Sequence, residues 1–289
     1  MAHFQIDLHA HTTASDGSHT PAQLVRRAVA RGLNVLGIAD HDTTAGLAEA
    51  QAAAKPDGLE IVPAIELSTR HEPDKQFIGI HLLGYFIDPA SPALVDVLER
   101  VKQGRLEQKI RQIELLQSFG FDLPLEAVFE RVSGVPGRPH IAAVLMERNP
   151  GRFESMQQIF DEYLGVGKKA HVVRSFALTV SEAITVVRAA GGLPVLAHPA
   201  AYSGGVEPVT LVRNAAAAGV AGIEVYYPYE DGHRPGSGSR WIGRLEQLAA
   251  ELGLLATGGT DFHGRPHKVI DLGDMGLTET QYQTLKTYR

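Results

Sequence analysis

Cysteine is absent from this chain. Disulfides, thiolate metal ligands and cysteine nucleophiles are therefore excluded, and any metal site must use nitrogen and oxygen donors. A positive charge excess is absent too. The 27 Lys and Arg stand against 33 Asp and Glu, for a formal charge of −6 and a pI near 6.1. No global basic field advertises duplex DNA, which leaves small or single-stranded anions among nucleic-acid partners. No apolar run approaches the length of a membrane span. No charged-then-apolar leader pattern precedes the first strand signal, so the expectation is a cytoplasmic protein with no membrane role. No sequence feature specifies an oligomeric state. What is present suits a folded domain: 44% hydrophobic and 21% charged residues in 289, enough for a real core.

Strand and helix signals alternate at both ends of the chain, which predicts a parallel α/β architecture. Apolar runs at Phe4–Leu8, Val35–Ala39, Leu59–Ile65 and Phe77–Ile80 read as strands, with helices over 20–31 and 44–54. Later strands are expected at Leu193–Ala197, Ala221–Tyr226 and Leu254–Thr257. The helices between them are Ser181–Ala190, capped by Ser181, then Val209–Ala218 and Trp241–Leu252, with a short one after Thr278. The middle breaks the alternation. A long helical pattern runs from Ser91 to Phe119, and shorter ones cover Leu125–Val132, His140–Arg148 and Ser155–Leu164. The expected organisation is a first barrel segment over 1–88, a helical insertion capping the active site over 89–175, and a second barrel segment over 176–289. Pro228–Ser239, rich in Gly and Pro, reads as a loop.

The polar residues that follow the apolar runs carry the chemistry. Asp7-Leu8-His9-Ala10-His11-Thr12 ends the first, with Asp16 soon after; His41, Glu66, His81, His198, Asp261 and His263 follow later ones. Residues two apart in extended chain share a face, so His9 and His11 can hold one ion together. In barrels of βα units the loops after the strands gather on one face, so the whole set can converge. Nitrogen and oxygen donors in this number suit two or three Mn²⁺, Zn²⁺ or Fe²⁺ ions, with Mn²⁺ favoured. The expected grouping is His9, His11, Glu66 and Asp261 on one ion, and Glu66 bridging to a second held by His81 and His198. Asp16, His41 and His263 hold a third. Three such ions outweigh the three carboxylates and favour an anionic substrate, with a bridging water ionised for attack. His41 and His263, if not ligands, are candidate acid–base catalysts. Asp7 and Asp40 are expected to orient histidine rings, with turn capping as the competing role. A single histidine at a strand end is more often a hydrogen-bonded structural residue; the recurrence favours a site. Tyr226, Tyr227 and Tyr229 could line the pocket or pack the barrel. His3, His19, His71, His233 and His267 receive no role, apart from a place for His267 at the cleft rim.

Asp7-Leu8-His9-Ala10-His11-Thr12, Ala39-Asp40-His41-Asp42, Ile65-Glu66, Ala197-His198-Pro199 and Gly259-Thr260-Asp261-Phe262-His263 resemble the motifs of the PHP (polymerase and histidinol phosphatase) family. The resemblance implies a distorted seven-stranded βα barrel, a trinuclear metal site and phosphoesterase activity. Gly104-Arg105-Leu106-Glu107, Gly137-Arg138-Pro139-His140-Ile141-Ala142 and Gly165-Val166-Gly167-Lys168 are similar to the branch of 3′,5′-nucleoside bisphosphate phosphatases and 5′–3′ exoribonucleases. In that branch the cap holds a substrate 5′-phosphate, and by position Arg105, Arg138, His140 and Lys168 would do so here. The residues themselves leave alternatives open. Arg105 lies among Lys102, Lys109 and Arg111, as on a solvated helix face, and Lys168 sits in a Gly-flanked turn open to solvent. Arg138 and His140 flank Pro139 at a helix start, where free N–H groups also welcome an anion. His171, Arg174-Ser175-Phe176 and Ala200 depart from the branch pattern and bear on base stacking and substrate choice.

The expected function is metal-dependent hydrolysis of the 3′-phosphoryl group of a small 5′-phosphorylated nucleotide or short single-stranded RNA, by attack of a metal-bound hydroxide. The alternatives are a phosphatase for another metabolite such as histidinol phosphate, and a non-catalytic metal-binding accessory barrel.

Overall fold

The computed structural model describes residues 4–132, 134–202, 206–229, 238–265 and 270–288. His3, His233, His267 and most of the Gly/Pro-rich loop expected over Pro228–Ser239 lie outside the described residues. In chain order the elements are β1 Ile6–Ala10, α1 Pro21–Ala30, β2 Val35–Ile38, α2 Leu47–Ala54, β3 Glu60–Ser68 and β4 His81–Tyr85. The helices α3 Pro92–Ser118, α4 Leu125–Phe129, α5 Arg138–Arg148 and α6 Met156–Ile159 follow, then a π-helical turn at Phe160–Leu164. The chain resumes with α7 Val180–Ala189, β5 Leu193–Leu196, α8 Pro208–Ala218, β6 Gly222–Tyr226, α9 Gly238–Leu252, β7 Leu255–Gly258 and α10 Glu279–Tyr288. Two compact units result: Met1–Leu98 with Leu178–Arg289, and Glu99–Ala177.

The first unit is an α/β sheet of seven strands in the order β1-β2-β3-β4-β5-β6-β7. Helix starts follow local chemistry. Thr20 caps α1 by accepting from Gln23 N, and the Gln23 side chain returns to Thr20 N at 2.9 Å. Pro21, which has no N–H to waste, takes the first turn. Helix α1 then buries Leu24, Val25 and Ala28 in a cluster with Leu36, Ile38 and Leu47. The cap of α7 is Thr179, not Ser181, because Thr179 with Glu182 completes the reciprocal pair. Ile6, Leu8, Val62, Leu83, Val195 and Ala197 form the core on the other side of the strands.

The sheet is not wholly parallel. β1, β2 and β3 run parallel, as do β5, β6 and β7, but β4 is antiparallel to both neighbours. Parallel pairing needs a crossover, usually helical. Between Ser68 and His81 there is only a 3₁₀ turn at Pro73–Lys75 and a bridge from Glu72 to Phe77, so the chain doubles back. The strand expected at Phe77–Ile80 therefore begins at His81 instead. Past β7 the backbone closes on β1: Phe262 bridges Ala10, and His11 N donates to Phe262 O at 2.9 Å.

The second unit is helical and has its own core, built on Ile113, Leu116, Phe121, Val128, Ile141, Leu145, Ile159 and Leu164. Among the described residues no helix is long and apolar enough to cross a membrane.

Candidate metal centre

Strand geometry delivers the donors. His9 lies inside β1 and His11 just beyond it; alternation turns both rings one way, and their Nε2 atoms are 3.1 Å apart. Glu66 sits within β3, its backbone N–H donating to Asp40 O at 3.2 Å and its carbonyl accepting from Asp42 N at 3.0 Å. Those bonds hold His41 against Glu66 as an isolated parallel bridge. His81 opens β4, and because that strand is reversed its first residue lies where the oppositely directed β3 ends, opposite Ser68. His198 follows β5, while Asp261 and His263 follow β7.

All the donors expected from the sequence meet at one place. Glu66 is its centre. Oε1 lies 2.9 Å from His81 Nδ1 and 3.0 Å from His198 Nε2. Oε2 lies 3.0 Å from His41 Nδ1, 3.3 Å from His11 Nε2 and 3.4 Å from His9 Nε2. Asp261 Oδ1 faces His11 Nε2 at 3.0 Å and His9 Nε2 at 3.4 Å. Asp16 Oδ1 faces His263 Nε2 at 3.1 Å and His41 Nε2 at 3.9 Å. Three groupings have ligand atoms within 4.8 Å of one another: His9, His11, Glu66 and Asp261; His41, Glu66 and His81; His11, Asp16, His41 and His263.

These residues fit divalent ions. Buried His11 Nδ1, Asp16 Oδ1, Glu66 Oε2 and His198 Nδ1 have no hydrogen-bond partner among the described residues, a costly arrangement unless something else satisfies them. Packing this many imidazoles and carboxylates together also distorts their titration. Burial works against a charged His11, yet Asp261 and Glu66 raise its pKa to about 10. Burial holds His41 down to about 3 in spite of Glu66 and Asp16. Burial would raise Glu66, but His41, His81 and His9 keep it well below the usual carboxylate range. Two of the candidate donors, His198 and Asp261, adopt positive φ angles of 26° and 51°. Non-glycine residues rarely hold such angles, at a cost of about 1–3 kcal/mol each, and they concentrate at functional sites.

The supports differ from expectation. Among the described residues neither Asp7 nor Asp40 touches a histidine ring; both brace backbone, the competing capping role. Asp7 accepts from Thr260 Oγ1 at 2.6 Å, Thr260 N at 3.0 Å, Gly273 N at 3.1 Å and His9 N at 3.2 Å. Asp40 accepts from Thr12 N and Thr12 Oγ1, each at 2.7 Å, and from Ser15 Oγ at 2.6 Å. They tie the loops after β1, β2 and β7 in place. The ring-orienting carboxylate is Glu224 of β6, fully buried. It faces His9 Nδ1 at 2.9 Å and accepts from His198 N at 2.9 Å. Its signal in the sequence is a lone acidic residue inside the apolar run Ala221–Tyr226. Glu224→Gln keeps the shape but weakens the grip on His9, so metal affinity or activity should fall by about 10–100-fold. Metal titration and steady-state rates check this.

Tyr227 donates to Asp261 Oδ2 at 3.1 Å, and Arg265 Nη2 to Asp16 Oδ2 at 3.1 Å. Tyr226 pairs instead with Glu246 and Gln281, and Tyr229 donates to Glu224 O.

The expected phosphate-binding residues all belong to the helical unit. Arg105 is half-buried on α3, while Arg138 is exposed at the start of α5 and donates to Leu164 O at 3.3 Å. His140 Nδ1 accepts from Gly137 N at 2.9 Å, capping α5, and Lys168 is exposed.

Comparison with known proteins gives a consistent picture. The chain is similar to a 5′–3′ exoribonuclease of Haemophilus influenzae, 34% identical over 92% of both chains. A 3′,5′-nucleoside bisphosphate phosphatase of Chromobacterium violaceum is 33% identical over 93% of this chain and 90% of the relative. Among solved structures, an amidohydrolase from Chromobacterium violaceum with bound sulfate and no metal superposes with a TM-score of 0.82. It is 31% identical and covers 98% of this chain and 96% of its own. The PHP domain matches residues 7–173, which take in the donors from His9 to His81 and the whole of α3 to α6. That match exceeds half the chain, and the chain therefore belongs to the PHP domain family.

Proposed function

We propose that this chain is a metal-dependent phosphoesterase that removes the 3′-phosphoryl group from 5′-phosphorylated nucleotides. Its substrate forms are a 3′,5′-nucleoside bisphosphate and a short, single-stranded, 5′-phosphorylated RNA. The observation that carries the reading is Glu66, a buried carboxylate with two imidazoles against one oxygen and three against the other. A group so placed is suited to bridge ions. His9, His11, Glu66 and Asp261 would hold one; Glu66, His81 and His198 a second; Asp16, His41 and His263 a third. Manganese, zinc and iron suit the all-nitrogen-and-oxygen set.

Bound divalent ions supply Lewis-acid charge to a phosphoryl oxygen and lower the pKa of a water nucleophile. The chain's own residues do the rest. Glu224 fixes the tautomer and angle of His9, and Tyr227 fixes Asp261. His81, 29% exposed at its side chain, and His41, 18% exposed, face the approach of substrate. His41 and His263, if they are not ligands, would instead be placed to carry a proton from the water or to the leaving oxygen. Arg138, Arg105, His140 and Lys168 of the helical unit would take the 5′-phosphate, the guanidinium forks matching its oxygens. The names of the relatives, one acting on bisphosphates and one on RNA from the 5′ end, support both substrate forms.

Turnover of both substrates with Mn²⁺ is the expected result, with a loss of about 100-fold when the 5′-phosphate is replaced by hydroxyl. Arg138→Ala should raise KM about tenfold and leave kcat nearly unchanged, because it removes binding common to ground and transition states. Hydrolysis of neither substrate would sink the proposal. Full metal content without turnover of any phosphoester would point to an accessory barrel, and preference for histidinol phosphate to a metabolite phosphatase.

A further inference from the structure

Lys109 of α3 is only 5% exposed. Lysine is almost never this buried without a partner of opposite charge, yet among the described residues the charged groups acting on it are all cations. Arg105 comes from α3 itself, Arg138 from the first turn of α5, and Arg174 from the segment after the π-helical turn. Its hydrogen bonds go to neutral amides: Nζ lies 3.0 Å from Gln112 Oε1 and 3.3 Å from Gln108 Oε1. Both amides are locked with oxygen toward the lysine. Gln112 Nε2 donates to Ala170 O at 3.1 Å, and Gln108 Nε2 donates to Val172 O at 2.5 Å. An uncharged amine has two N–H donors, which these two oxygens satisfy, and a lone pair left over; an ammonium has a third donor with no acceptor among the described residues.

Exposure also grades across the cluster. Arg138 is exposed, Arg105 and Arg174 are half-buried, and Lys109 is innermost. An anion moving inward meets guanidinium forks before it reaches the amine.

The geometry points to Lys109 as a specificity-determining residue that waits as an uncharged amine and takes up one proton when a terminal phosphate enters the Arg105, Arg138 and Arg174 cluster. This inference rests on the phosphate-reading role given above to the helical unit. The balance is simple. The amine gains one proton from solvent, no bond to phosphorus changes, and the new third N–H is donated to a phosphate oxygen. A phosphomonoester dianion brings two charges to offset the crowded cations, whereas an internal diester brings one. The cluster therefore favours a chain end over a chain interior. Burial, reinforced by Arg105, Arg174 and Arg138, holds the empty lysine well below its ordinary range, in keeping with that resting state.

The test is calorimetric binding of a nucleoside 5′-monophosphate to the metal-loaded full chain, in two buffers of different ionisation enthalpy. Lys109→Met, similar in length and apolar, is the comparison. The wild-type protein should take up about one more proton per phosphate than the variant. Its Kd should rise about tenfold from about pH 7.5 to 8.5, where phosphate itself is already dianionic, while that of the variant stays flat. The variant should bind about tenfold more weakly at the lower pH. It should melt no lower than wild type, because the wild-type lysine must give up a proton to be buried uncharged, a cost that methionine does not carry. Equal proton uptake by both proteins with intact binding overturns the role of Lys109 and leaves the phosphate-reading role standing. Absence of binding, or binding unaltered by Arg138→Ala, overturns both.

Discussion

Glu66→Ala should lower turnover by about 10³-fold or more and strip the protein of some or all of its metal. A loss of that size corresponds to about 4 kcal/mol of transition-state stabilisation. Each oxygen of Glu66 is within 3.0 Å of an imidazole nitrogen, and five histidine rings face the one carboxylate. Removing it deletes a donor from two of the three ligand groupings at once. The backbone should tolerate the change, because the strand bonds at this position are main-chain bonds to Asp40 and Asp42. Metal analysis by mass spectrometry and steady-state assay of the same preparation read the result. Retained metal with retained turnover would dismantle the bridging role.

Chelation of the wild-type protein should abolish activity and lower Tm by about 5–15 °C, both reversed by adding Mn²⁺. An ion that binds only the folded state stabilises it by about 3–4 kcal/mol when present at roughly 100–1,000 times its Kd. For a chain of this size each kcal/mol moves Tm by about 2–4 °C. The structural ground is the set of buried atoms at His11, Asp16, Glu66 and His198 that lack hydrogen-bond partners among the described residues, together with the positive φ angles at His198 and Asp261. Ligation offsets both costs. A chelated protein that melts at the same temperature and keeps its activity would remove metal from the account altogether.

Much of the donor cluster is legible in the sequence. A His-x-His pair, an acidic residue after an apolar run and an Asp-x-His pair are local patterns, and a parallel strand exposes its last residues on one face whatever its partners are. His9, His11, Glu66, Asp261 and His263 follow from that rule alone. For His81 the same rule reaches a residue that lies in the cluster, but for an incomplete reason. It does not end a strand; it begins the reversed β4. Only the pairing of Ser68 with His81 explains why a strand start reaches the same face as the strand ends. Asp7 and Asp40 escape sequence reasoning because a carboxylate beside histidines in sequence need not face their rings. Chain direction turns both toward backbone N–H groups and hydroxyls instead.

By itself, then, the sequence determined the donor chemistry, the absence of thiolate, the count of strands and most helix positions, since these depend on residue type and on periodicities a few residues long. Tertiary structure alone decided the direction of β4, the choice of Glu224 to orient His9, and the burial of Lys109 on what reads as a solvated helix face. Each of these depends on contacts between elements far apart in the chain: Glu224 lies 215 residues from the ring it holds. No local pattern encodes such a distance; packing does.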